Sequence, residues 1–142
     1  MSDADKSDAD AKTPFELIGS EAVAQIALRF YEVMAAQEPA LAATHKCDAE
    51  GRIAEEMQTK FALFLVGWLG GPQVYVEKHG HPRLRMRHQH IRIDKNMRDA
   101  WLRCMAVALD EAKLARPLRE YLDERFYTMA NHLINVQASA EA

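Results

Sequence analysis

The chain has 142 residues, 49% of them hydrophobic and 27% charged, which is the balance of one globular domain and excludes a disordered or fibrous chain. A formal net charge of -3 excludes a surface that attracts nucleic acid overall. Two cysteines, Cys47 and Cys104, form no CxxC pair and no disulfide scaffold, so a reducing, cytoplasmic setting is expected.

The opening MSDADKSDADAK lacks the apolar run of a signal peptide and reads as a disordered acidic tail over 1–12, with one domain over 13–142. Thr13-Pro14-Phe15-Glu16 matches a capping box with proline at the first helical position. From Ser20, Val23, Ile26, Ala27, Phe30, Tyr31 and Met34 recur at helical spacing, and Pro39 reads as a break. Ile53, Met57, Phe61, Phe64, Leu65 and Trp68 form a second apolar stripe, stopped by Gly70-Gly71-Pro72. The apolar stretch FALFLVGWLGG is too short to span a bilayer, so no membrane partner is expected.

Residues 73–80 read as short and irregular. A short helix is expected from near Pro82 through His88, then a longer one capped by Asp94 with Met97, Trp101, Cys104, Met105, Ala108 and Leu109 on its inner face. Pro117 opens a last helix striped by Leu118, Tyr121, Leu122, Phe126, Met129, Leu133 and Ile134. No alternating strand pattern and no repeat stands out. The fold class is all-α, with about five to seven helices.

The segment HPRLRMRHQH, residues 81–90, holds three histidines and three arginines. Residues 78–98 carry seven Lys or Arg against Asp94 alone, a local +6 that leaves -9 for the remainder. Zinc is poorly served. His79/His81 and His88/His90 are HxH pairs, which diverge on a helix, and no acidic or thiol ligand lies among them. A phosphate-binding face is the second reading, but it lacks interleaved aromatics and a recognisable nucleic-acid motif. The third is an anionic, apolar, metal-containing cofactor. That needs one imidazole for a metal, cations for carboxylates, a wide apolar slot and a polar tip on the far side. The chain has all four kinds of residue.

GWLGGPQVYVEKHGHPRLRMRHQHIRI followed by RDAWLRCM resembles the truncated haemoglobins, and their second group most closely. The likeness is densest over 64–105, is weaker through LRFYEVM at 28–34, and extends over most of 14–136. It implies a globin-like, truncated 2-over-2 helical sandwich holding haem b (iron protoporphyrin IX). The last histidine of HPRLRMRH, His88, takes the proximal position on the iron. The tyrosine of RFY, Tyr31, and the tryptophan of DAWLRCM, Trp101, take the distal positions. Each has a hydrogen-bond donor on an apolar body.

His45 falls at the corner before the distal helix, in a THKCDAEGR segment longer than the family pattern. It is either a third donor, and a proton source near neutral pH, or a solvated loop histidine. Met57, Phe61, Phe64, Leu65, Leu84, Ile91, Ile93 and Met105 are expected to wall the porphyrin. Tyr75, His81 and Arg87 are expected at its propionates, with Arg83 and Arg85 in solvent. One departure is Gly19-Ser20 in place of a Gly-Gly pair, where Ser20 could cap the next helix. The resemblance implies binding of dioxygen and other diatomic ligands, a reductase as partner, no nucleic acid or membrane partner, and a monomer or homodimer. A haem peroxidase or nitric oxide dioxygenase using the same site is the alternative.

Overall fold

A computed structural model describes residues 12–136, and the acidic tail expected before Lys12 lies outside the described residues. Eight helices follow one another there: α1 (Pro14–Ile18), α2 (Ser20–Gln37), α3 (Pro39–Ala42), α4 (Glu55–Trp68), α5 (Val74–His79), α6 (Leu84–His88), α7 (Lys95–Ala112) and α8 (Arg116–His132). This exceeds the five to seven expected. Pro39 does break α2, but it then sits in the first turn of the four-residue α3, where its missing N–H costs nothing. Residues 74–79, expected to be irregular, form α5, a helix too short for periodicity to reveal.

The capping box forms as expected. Thr13 Oγ1 accepts from Glu16 N at 3.1 Å, and Glu16 Oε1 accepts from Thr13 N at 3.1 Å. Asp94 caps α7 by accepting from Met97 N at 2.9 Å. Ser20 does not cap α2. It is the first helical residue, and the cap is Gly19 at φ 91°, a left-handed conformation that glycine adopts freely.

Four long helices carry the architecture. α2 packs on α4, α7 packs on α8, and α2 crosses α7, giving the 2-over-2 sandwich. The α2 stripe is buried as its spacing predicts, with Val23, Ile26, Ala27, Phe30, Tyr31 and Met34 all in the core. Cys104, Met105, Ala108 and Leu109 of α7 meet it. Ile53, expected on the α4 stripe, precedes that helix and pairs with Cys47 in an isolated bridge, the sole β-pairing among the described residues. No described helix is long and apolar enough to cross a membrane.

Candidate functional site

The sandwich leaves a cavity of about 420 Å3, the size of a typical small-molecule or cofactor site. α2, α4 and α7 supply one side of its wall through Tyr31, Met57, Phe61, Phe64 and Trp101. The segment from α5 to the start of α7 supplies the other through Tyr75, Leu84, Arg87, His88, Ile91 and Ile93.

His88 ends α6, and its Nδ1 lies 2.7 Å from the carbonyl oxygen of Leu84, one turn earlier. The carbonyl can only accept, so Nδ1 donates and the lone pair is left on Nε2. That is how a metal-binding histidine is oriented by its backbone partner. A second tie fixes this part of the wall. Asn135, just beyond α8, accepts from Ile93 N at 2.8 Å and donates to Ile91 O at 2.8 Å, holding both isoleucines in place. Nothing in the periodicity of the sequence marks Asn135 for this task.

On the other side, Tyr31 is 6% exposed, and burial pushes its phenol well above the usual range, so the O–H stays protonated. Its ring meets His45 at 5.4 Å in an edge-on contact of 72° and lies 5.3 Å from Phe61. Trp101 packs edge-on against Phe30 at 5.0 Å, which itself touches Tyr31. His45 is therefore a wall residue and not a solvated loop histidine. Its Nδ1 faces Leu41 O at 3.1 Å and Thr44 Oγ1 at 3.1 Å. Burial lowers its pKa below the ordinary 6.5, outweighing the Leu41 carbonyl, and His88 adds to the lowering. Burial thus favours the uncharged ring.

The rim is cationic. Arg87, Lys60 and Arg98 line it. Arg87 donates from one terminal nitrogen to His79 O at 3.0 Å, while its Nε is buried with no hydrogen-bond partner. An unpartnered buried guanidinium nitrogen costs about 1–3 kcal/mol or more, and a carboxylate at the rim would satisfy it. Among the described residues no three His, Cys, Asp or Glu side chains cluster to hold an ion by themselves. A metal here would have to bring most of its own ligands. One oriented imidazole, apolar walls and an orphaned rim arginine suit a flat, apolar, dicarboxylate macrocycle such as haem.

Three expected residues are not on the wall. Leu65 is 1% exposed in the core, because one step along α4 turns it about 100° away from Phe64. Met105 is 1% exposed in the core, one turn beyond Trp101. His81 is exposed in the turn before α6. Conversely, Leu41, Thr44, Lys60, His90, Met97, Arg98, Met129, Ala130 and Leu133 line the cavity without having been assigned to it. The four-residue spacing of Met129 on α8 and Leu133 at its C-cap signals a shared face. It does not distinguish a face on the core from a face on a cavity.

The bacterial-like globin family model matches residues 13–135. The group 2 truncated hemoglobin YjbI of Bacillus subtilis (strain 168) is 39% identical over 128 residues, 90% of this chain and 92% of that protein. Among solved structures, the cold-adapted truncated hemoglobin of Pseudoalteromonas haloplanktis TAC125 aligns with a TM-score of 0.82 at 40% identity, over 89% of this chain and 100% of that one. A truncated oxygen-avid haemoglobin from Bacillus subtilis aligns with a TM-score of 0.78 at 39% identity, over 87% of this chain and 100% of that one. With its cavity, its oriented histidine and its family match in agreement, the chain belongs to the bacterial-like globins, as a group II truncated haemoglobin.

Proposed function

We propose that this chain binds haem b in the cavity, with His88 as the proximal ligand, and retains dioxygen with slow release. The observation that carries the reading is the 2.7 Å bond from His88 Nδ1 to Leu84 O on a cavity wall facing Tyr31, Trp101 and His45. Haem supplies an iron with one free coordination position for a diatomic ligand. Everything else is the chain's work. Arg87, with Lys60 and Tyr75, pairs the propionates. Met57, Phe61, Phe64, Leu84, Ile91 and Ile93 exclude water from the porphyrin faces. The Tyr31 O–H and Trp101 N–H donate to dioxygen held in the cavity. His45, fixed through Nδ1, packs edge-on against the Tyr31 ring and helps to hold it in place.

Each donor to a partly charged oxygen is worth about 1.5–3 kcal/mol, roughly ten- to hundredfold in residence time. The similar truncated haemoglobin from Bacillus subtilis is oxygen-avid, which is consistent with that. The test is oxygen dissociation measured by stopped-flow on wild type, Tyr31→Phe and Trp101→Phe. Release faster by about tenfold or more in at least one variant is expected. Unchanged release in both would contradict the donor roles. Slow release suits retention, sensing or oxygen chemistry better than transport. The second reading, reaction with peroxide or with nitric oxide at the same site, is favoured by one observation: three polar-tipped side chains, Tyr31, His45 and Trp101, line the cavity.

A further inference from the structure

Behind the cavity lies a second hollow, a groove of about 720 Å3 along the outer side of α8. Leu84, Met129 and Leu133 face both spaces, so one layer of side chains separates them. The groove presents Trp68, Tyr121 and Tyr127, with Tyr121 48% exposed. Trp68 stacks on Phe126 with ring centroids 4.7 Å apart and planes 26° off parallel. Phe126 in turn lies 5.7 Å from Trp101 on the cavity wall. A single phenyl ring therefore separates an indole in the groove from an indole in the cavity. Core packing accounts for Phe126, which is 2% exposed, but it does not call for an oxidisable ring at each end of the stack.

A cation stands at the groove end of the stack. The Arg125 guanidinium lies 5.4 Å from the Trp68 ring and 5.9 Å from that of Tyr121. A cation over an indole face opposes positive charge on the ring. An electron leaves Trp68 more readily when the N–H proton leaves with it into solvent. Two aromatic faces and the Thr128 hydroxyl nearby suit a single-ring phenol.

We propose that Trp68, Phe126 and Trp101 form an electron path from a small phenolic reductant in the groove to hydrogen peroxide reduced in the cavity. The inference rests on the haem reading above and adds the reducing substrate and its seat. Hydrogen peroxide takes up two electrons and two protons and leaves as two waters. Each electron comes from Trp68 and passes through Phe126 and Trp101, while the indole N–H proton goes to solvent. The phenol then gives one electron and one proton to the indolyl radical, restores Trp68 and departs as a phenoxyl radical. Two phenols are consumed per peroxide.

The test uses the haem-loaded full chain with hydrogen peroxide, as wild type, Trp68→Phe and Phe126→Leu. Both substitutions keep apolar bulk in the stack. Guaiacol is the phenol, and a nitroso spin trap located by peptide mass spectrometry reports where the radical rests. Wild type is expected to carry trap on Trp68 or Tyr121. Trp68→Phe is expected to lose that adduct and to oxidise guaiacol about tenfold more slowly or less, with its carbon monoxide spectrum and its reaction with peroxide unchanged. Phe126→Leu is expected to slow guaiacol oxidation likewise. Wild-type guaiacol oxidation in Trp68→Phe, or peroxide consumption with no adduct in the groove, would overturn the path alone. A chain with no carbon monoxide-binding haem would instead overturn the reading on which it rests.

Discussion

His45 shows how one side chain's surroundings decide its chemistry. The sequence leaves it as either a third donor or a solvated loop histidine; the structure brings it against Tyr31, and burial lowers its pKa below 6.5. The unfolded chain therefore binds a proton on this ring at higher pH than the folded chain. Stability from this group is whole above about 6.5 and falls as pH drops through the folded-state value. Urea unfolding at pH 7 and at about pH 5 should show a smaller loss of stability in His45→Gln than in wild type. An identical loss in both would place the proton uptake elsewhere. The two thiols should differ as sharply. Burial pushes Cys104 up to about 11 and encloses it, whereas Cys47 is exposed. One thiol should react with Ellman's reagent in the native state and two after denaturation.

Among the elements, the long helices are legible, and of the short ones only α1, through its capping box, and α6, through the breaks around it. The α2 stripe, the Thr13 box and the Asp94 cap each rest on local rules, a 3.6-residue period or a side chain bonding its own helix start, and the structure keeps all three. α5 and α3 span too few residues for a period, so they went unread. The site divides the same way. Phe64 and Leu65 are neighbours in one stripe, but only tertiary packing decides that the first meets the cavity and the second the core. Asn135 acts across more than forty residues through Ile91 and Ile93, which no local pattern announces.

That clamp and one helix contact yield two tests of element stability. Asn135→Ala removes two side-chain bonds and leaves the Ile93 N–H without its partner, at a cost of about 1–3 kcal/mol in chemical unfolding. Faster haem loss should accompany it. A stability within a few tenths of wild type would show the clamp to be incidental. Gly71 lies against Phe15, and a Cβ there would meet the ring at 2.7 Å. Gly71→Ala should therefore destabilise the α1–α4 junction by about 1–3 kcal/mol by overpacking. A neutral effect would mean that Phe15 swings aside freely.

Over the described residues as a whole, the fold divides into helices with buried stripes and a cavity wall with little packing of its own. α2 and α7 bury continuous stripes, whereas α6 buries no residue fully, although it carries His88. A ligand that binds only the folded chain stabilises it by mass action, and most where the chain has least packing of its own. Amide exchange in residues 79–93 should be fast without haem and strongly slowed with it, while the α7 core changes little. Equal exchange in both states would detach this segment from the cofactor.

Every functional role assigned to the cavity depends on His88 holding the iron, and the visible absorption spectrum reads that bond. Wild type and His88→Ala should be compared oxidised, reduced and with carbon monoxide. A Soret band and a carbon monoxide complex are expected in wild type, both lost or strongly altered in the variant. A wild type that takes up no haem, or a variant whose spectrum is unchanged, would contradict His88 as the ligand.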